Sequence, residues 1–524
     1  MTNHTELKDE IERLWPGLVK CRFEGSICNV SCAPVPLAEL CGHLFLEWNY
    51  SFAGLVVEEE AEWVLHYLFY GEAADGWVHV RVTAPLEEKT FPSIVRFVHA
   101  ADWHEREAED LFGVTFEGHP RLGDFVLHDD AWQESVEPMR RGFDAVAAMR
   151  QRTPSSDWRP YRIVQEPGAF VMPVGPKFSG VTESVHFLLE TVGEDVIRST
   201  PRLFYKWRGI EKLAEGKPVK DVLLLAERFA ATTAFAHGLA FCQAVERICH
   251  TRVPARARIL RVYLAEIERL RQHAGAIQEI CESTALVVAT SQAGLIEEDL
   301  LRISGELTGH RYVFGQLALG GLQRNLSKEA CIRALDQSKA ALARLNELEK
   351  RLRISSSFLD RLEQVGIVQQ NTAMVYGLLG PIARASGIAR DLRRSQPYLG
   401  YENFQFDVPC EVEGDGYARL RVLFAEARQS VRIMEQCVDQ LQEGIVREPF
   451  EFRQGAELGW VEAPRGGAFH WVRLDDRGIV NRYRIIPPSF ANWHGFHLSV
   501  EKFAFQDFPI MLSTFDLSVA ENDR

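Results

Sequence analysis

The chain of 524 residues is short of three things, and each shortage removes a class of function. Its ten cysteines are scattered without a single Cys-x-x-Cys, so the sequence carries no iron-sulfur or zinc-ribbon spacing of its own. Cys21, Cys28, Cys32 and Cys41 come nearest to a cluster. With no histidine among them and strand-like surroundings, they are expected to be buried, reduced thiols. Long apolar runs are missing too: none approaches the roughly 20 residues that cross a bilayer. Basic residues are outnumbered, 59 Lys and Arg against 73 Asp and Glu, for a formal charge of -14. That deficit argues against nucleic acid or an anionic membrane surface as the main partner. The opening Met1-Thr2-Asn3-His4-Thr5-Glu6 has neither the basic nor the apolar region of a signal peptide, so a cytoplasmic chain is expected, with peripheral docking onto a membrane partner left open.

What is present is ordinary for globular domains, 46% hydrophobic and 25% charged, in a chain long enough for two or three cores. Residues 1–150 read as an α/β domain: an amphipathic opening helix over 6–15, strand-like runs over 18–30 and 52–70, and a further strand over 77–84. The string Trp103-His104-Glu105-Arg106-Glu107-Ala108-Glu109-Asp110-Leu111-Phe112-Gly113 suits a solvated helix with Arg106 and Asp110 four apart and Gly113 as its left-handed stop. Residues 151–174 loosen into Pro- and Gly-bearing text that reads as a linker. Residues 175–524 read as a mainly helical bundle with small β-sheets, giving an α+β chain overall. Apolar residues three and four apart predict helices over 221–249, 254–282, 294–309, 327–352 and 416–441, and the alternation over 468–486 predicts a small sheet returning the C-terminus to the bundle. Glu266, Arg269 and His273 form a stripe that suits either a buried charge network or a solvated face.

The string from Glu105 through Gly118-His119-Pro120 closely resembles the signature of the C-type, 30-kilodalton subunit of respiratory complex I, departing from it at Gly123. From Gly175 onward the motif order resembles the D-type, 49-kilodalton subunit and the large subunits of group 4 nickel-iron hydrogenases: Arg208-Gly209-Ile210-Glu211-Lys212, Ala236-His237-Gly238, Tyr398-Leu399-Gly400-Tyr401-Glu402, Pro464-Arg465-Gly466 and Pro487-Pro488-Ser489-Phe490. Together these resemble a C/D fusion of the formate-hydrogenlyase type. Two segments, Glu227-Arg228-Phe229-Ala230-Ala231-Thr232-Thr233 and Asp516-Leu517-Ser518-Val519-Ala520-Glu521, resemble those that supply four cysteines to nickel and iron. Here the four positions are Ala230, Thr233, Ser518 and Glu521.

That resemblance implies no metal at this site and no hydrogenase activity, since nickel and low-spin iron need deprotonated sulfur. Complex I's quinone-bonding histidine and tyrosine fall on Thr182 and Ala231, and alanine cannot replace a phenol's proton donation. Glu183 matches the loop glutamate that relays protons in group 4 hydrogenases, where desolvation suits a carboxylate to proton exchange; the plainer alternative is an exposed loop acid. His237, one turn past Thr233, and Arg465, whose usual glutamate neighbour is Gly467, are expected to reach the same cavity. The family further implies a small iron-sulfur partner carrying a four-iron cluster, with antiporter-like and H-type membrane subunits. Two functions follow: reduction of a quinone or another small acceptor with borrowed electrons, or a non-redox structural and coupling module.

Overall fold

The computed structural model describes residues 4–25, 27–71, 76–132, 136–151, 157–159, 164, 167–177, 183–501 and 503–524. The first domain is a mixed five-stranded sheet in the order Val19–Glu24, Ile27–Cys32, Trp77–Ala84, Trp63–Tyr70, Ser51–Glu59, with its one parallel pairing between Ile27–Cys32 and Trp77–Ala84. Alternation along the strands sends Leu65, Tyr67, Phe69, Val78, Val80 and Val82 into this domain's own core and Ala53, Val56, Leu68, Tyr70 and Trp77 into the core of the second domain. Both faces are therefore apolar, which is why Trp63–Tyr70 is buried at every position. The seam is aromatic: Trp77 meets Trp460 at 4.7 Å between ring centroids, His66 meets Trp471 at 4.7 Å, and Tyr70 meets Phe469 at 5.7 Å. Each such side chain contributes roughly 1.5–3 kcal/mol by leaving water.

The helix Asp102–Phe112 ends at Gly113, which is left-handed at φ 69° as expected. It is not solvated: Glu105, Arg106 and Glu107 are buried along with Trp103, His104 and Leu111. Its charges find partners inside the protein, because unpaired they would cost several kcal/mol each. The Arg106 guanidinium donates to the carbonyls of Gly123 and Asp124, while the Asp110 carboxylate accepts the N–H groups of Phe125, Val126 and Leu127. Glu107 takes Arg484 at 2.6 Å and the C-terminal Arg524 at 2.9 Å. Glu211 binds the same two arginines from the other side, at 3.3 and 3.2 Å.

Of the linker stretch, Ala169–Val174 forms a strand that pairs with His186–Val192. This sheet continues through Asp195–Arg202 to the short edge strand Phe503–Ala504. The bundle that follows is built from Ala255–Ser283, Val287–Thr308, Lys328–Leu352 and Gly416–Gln440, packed pairwise. The helix expected over 221–249 is instead two, Val219–Arg228 and Ala234–Ile248, separated by a non-helical Ala230 and a short turn at Ala231–Thr233. The C-terminal sheet starts earlier than the alternation suggested, as three antiparallel strands Gly455–Ala463, Gly466–Leu474 and Val480–Ile486. Gly459 lets the first of these lie against Ala234–Ile248, since a Cβ there would sit 1.9 Å from the carbonyl oxygen of Ala240.

The stripe on Ala255–Ser283 is a buried network, not a solvated face. Glu266 accepts from Arg393 at 3.0 Å, Tyr401 at 2.7 Å and Ser430 at 2.8 Å. His273 meets Glu426 at 2.9 Å, and Glu426 also takes Arg384 at 2.6 Å. Among the described residues no helix is long and apolar enough to cross a membrane.

Candidate functional site

The break at Phe229–Thr233 is held open by the neighbouring long helix. Glu268 accepts the N–H groups of Phe235 and Ala236 at 2.7 and 2.9 Å, which satisfies the start of Ala234–Ile248, and Arg271 donates to the carbonyl of Thr232. Burial pushes the Glu268 carboxyl up to about 7 against those donors and Arg271. The terminal segment is anchored as firmly. The helix Phe508–Phe515 stops at a left-handed Asp516, Ser518 caps the last turn by accepting the Glu521 N–H at 3.2 Å, and Ser489 accepts the Ser518 N–H at 3.1 Å. Arg208 donates to the carbonyls of Asp523 and Ala520 at 2.8 and 2.6 Å, completing the dock.

These anchors bring the two distant segments together. The Glu521 carboxylate accepts from Thr233 Oγ1 at 3.1 Å, from the Ser489 N–H at 3.3 Å and from Arg465 Nη1 at 3.4 Å, and His237 Nε2 lies 3.7 Å away. Burial alone would raise this carboxyl, but His237 and Arg465 outweigh it and hold it at about 2. Arg465 sits between two strands of the C-terminal sheet and divides itself further, donating to Thr232 Oγ1 at 3.1 Å and to Asp516 Oδ1 at 3.1 Å. Beside it, a Cβ on Gly467 would meet Leu392 at 2.9 Å and Phe469 at 3.1 Å, so no room is left for the glutamate the family places there.

Behind His237 runs a buried chain that sequence reasoning did not find. His237 Nδ1 lies 3.0 Å from His470 Nε2, and His470 Nδ1 lies 2.8 Å from the Tyr483 hydroxyl. Burial, with His237 and Arg524 nearby, pushes His470 well below its ordinary value, so it is neutral; burial also raises Tyr483 well above its own, so the phenol keeps its proton. The three groups form one line of hydrogen bonds, and at its end His237 Nε2 faces Glu521 with no hydrogen-bond partner among the described residues. His470 stands 233 positions from His237, and no spacing signal links residues so far apart.

The other expected residues fall as follows. Glu183 is half-buried and its carboxylate accepts the Val519 N–H, so it lies at the start of the last turn rather than free in solvent. Ala230 is buried within the break, and Ala231 exposes its methyl group. Thr182 lies outside the described residues. Thr233, His237 and Arg465 thus meet around the Glu521 carboxylate, while Ser518 holds the Glu521 backbone and Glu183 is tied to the same terminal turn.

Comparison with known proteins places both parts of the chain in a family. The model of the respiratory-chain NADH dehydrogenase 30 Kd subunit matches residues 34–148, and that of the 49 Kd subunit matches 295–451 and 445–524. Formate hydrogenlyase subunit 5 of Escherichia coli is 30% identical over 458 residues, spanning 86% of this chain and 79% of that protein. Hydrogenase-4 component G of the same organism is 30% identical over 469 residues, with 88% and 81% covered. The fused C/D polypeptide of NADH-quinone oxidoreductase from Bdellovibrio bacteriovorus is 29% identical over 484 residues, with 85% of each covered. With both subunit types matched in one polypeptide and relatives aligned along most of its length, the chain belongs to the family of fused 30- and 49-kilodalton subunits shared by NADH-quinone oxidoreductases and formate-hydrogenlyase-type hydrogenases.

Proposed function

We propose that the chain occupies the catalytic-subunit position of a membrane-associated oxidoreductase complex related to complex I and the group 4 hydrogenases, without a nickel-iron centre. One observation carries this reading: three of the four positions that would hold thiolates close on one another, and the fourth, Ala230, is buried in the break beside Thr233. Ala230 offers a methyl group, the hydroxyls of Thr233 and Ser518 are engaged with Glu521, and the Glu521 carboxylate is taken by Thr233, Ser489 and Arg465. Neutral hydroxyls and one committed carboxylate do not fit nickel or low-spin iron.

What remains for the chain's own residues is proton handling. The His237 imidazole faces the ionised Glu521 with His470 and Tyr483 behind it, and Arg465 keeps Glu521 an anion that stabilises positive charge arriving on the histidine chain. In this reading a small iron-sulfur partner faces the cavity with a four-iron cluster, a quinone or another small acceptor takes the electrons, and the network around Glu266 and Glu426 couples to antiporter-like and H-type subunits at the cytoplasmic face of the membrane. The exposed methyl of Ala231, where a phenol would bond a quinone, favours a second reading in which the chain is a coupling module with no redox chemistry.

Metal analysis and cluster spectroscopy on the purified complex, with quinone, hydrogen and polysulfide offered in turn, test both. The expected result is iron from the partner and no stoichiometric nickel. Turnover with one acceptor supports the first reading, a partner without its cluster leaves only the second, and one nickel per complex overturns both.

A further inference from the structure

The negative charge of the chain is concentrated in its first domain. Residues 1–150 hold 27 Asp and Glu against 12 Lys and Arg, while residues 151–524 hold 46 against 47, so the formal deficit of -14 belongs to the first domain. The seam offsets only part of it, through Arg473 on Glu58, Arg484 and Arg524 on Glu107, and Arg202 on Asp124 and Asp130. The outward side of the domain stays anionic, and the field of such a surface draws cations and turns anions away.

On that side lies a helical face with no element packed over it. The helix Leu37–Gly42 runs on as the wider helical turn His43–Glu47, and its inner side, Leu37, Leu40, Cys41 and Leu44, is buried in the first domain's core. Residues four, seven and eight apart share the other side: Glu39, His43, Leu46 and Glu47. Leu46 is 58% exposed there. The His43 ring lies 5.2 Å from Trp15 and 6.0 Å from Trp48 between centroids, which joins this face to the end of the helix His4–Leu14. Leu14 and Leu18, on either side of Trp15 in the chain, are 41% and 47% exposed. The Leu18 carbonyl accepts the Ala33 N–H at 3.1 Å, and Val35, two residues on, is 82% exposed. Four large aliphatic side chains thus meet water beside carboxylates with little compensation. Glu39 has no ion pair among the described residues, Glu47 meets only His43, at 3.4 Å, and the nearby Arg13 is already taken by Glu10 at 3.7 Å.

Charge decides what such a face can receive. A second copy of the chain would bring either the same acidic domain or a remainder with almost no net charge, and nucleic acid or an anionic lipid surface is repelled. A partner bearing an apolar stripe flanked by Lys and Arg matches both features, and an amphipathic helix supplies that pattern at its 3.6-residue period. We propose that this face docks a basic amphipathic helix of a partner protein, its apolar stripe on Leu14, Leu18, Val35 and Leu46 and its cations over Glu39 and Glu47. The contact is separate from the Glu521 cluster and does not depend on what that cluster does.

Fluorescence anisotropy on the full chain tests this with two labelled helical peptides of about 18 residues, five turns, sharing one pattern: one of Leu and Lys, the other of Leu and Glu. At about 50 mM salt the Leu/Lys peptide is expected to bind saturably below about 100 µM and to weaken as salt rises, because screening shortens the reach of the field. The Leu/Glu peptide is expected not to bind. Leu18→Ser combined with Leu46→Ser keeps every charge and replaces side chains that already meet water, so the chain stays folded; it is expected to weaken the Leu/Lys peptide at least about fivefold. No saturable binding below about 100 µM, equal binding of the two peptides, or a loss under about fivefold in the variant would each overturn the assignment, the last by showing that the domain's charge alone collects the peptide.

Discussion

Glu426 in the bundle and Glu521 where the two segments converge are both fully buried carboxylates kept ionised, yet their surroundings differ. Glu426 is gripped at 2.6 Å by Arg384 and at 2.9 Å by His273, and Arg384 is itself shared with Glu462 at 2.8 Å. Around Glu521 the contacts lengthen to between 3.1 and 3.7 Å, and Arg465 spends Nε and Nη2 on Asp516 and shares the Nη1 that reaches Glu521 with Thr232. Short, multiply shared ion pairs fix the bundle's geometry. Longer contacts, with His237 Nε2 left without a hydrogen-bond partner, make the Glu521 cluster the less tightly gripped of the two. The place where the two distant segments meet is therefore the looser of two buried charge systems.

The sharpest way to break the comparison is to remove a cation from the tight network. Arg384→Met fills a similar volume but leaves Glu426 and Glu462 buried with their main counter-charge gone. It is expected to cost about 3–5 kcal/mol, read as a fall in denaturant midpoint at unchanged slope. A loss below about 1 kcal/mol would mean that the bundle network is no firmer than the site.

How much of this contrast was legible beforehand depended on distance along the chain. The strand at Trp77–Ala84 and the long helix starting near Pro254 were readable because periodicity is local. The break at Phe229–Thr233 was not: apolar spacing runs straight through it, and what opens it is Glu268 and Arg271 reaching across from another helix. Glu107 looked like a solvent-facing acid because its partners, Arg484 and Arg524, lie 377 and 417 positions away. At the site, family motifs located Thr233, His237, Arg465 and Glu521, whereas His470 and Tyr483 sat in two strands whose alternation told only of a sheet. Charge in a sequence tells how many counter-charges are needed, not where they stand.

A smaller effect is expected from Glu521→Gln. The folded carboxyl sits at about 2 against an ordinary 4.5, so its ionised contacts stabilise the protein above pH 4.5, and that contribution drains away as pH falls towards 2. The amide removes the charge but keeps an acceptor for Thr233, so on the order of 2 kcal/mol should be lost at pH 7. Thermal unfolding across pH should then show wild type and variant converging between pH 4.5 and 2. A constant gap down to the lower limit would show that Glu521 contributes through shape and not through charge.

The smallest change refines the same point. Thr233→Val keeps the volume and deletes only the hydroxyl that donates to Glu521 at 3.1 Å. Arg465 and the Ser489 N–H remain, so the expected cost is about 1 kcal/mol, and Thr233→Val combined with Glu521→Gln should show a coupling of only a few tenths of a kcal/mol in a double-mutant cycle, since the amide oxygen still accepts from Thr233. A coupling of about 3 kcal/mol or more would place this hydrogen bond among the tight, charge-dependent contacts of the bundle and erase the contrast. A coupling within a few tenths of a kcal/mol of zero would leave Arg465 and the Ser489 N–H as the contacts that govern the charge of Glu521.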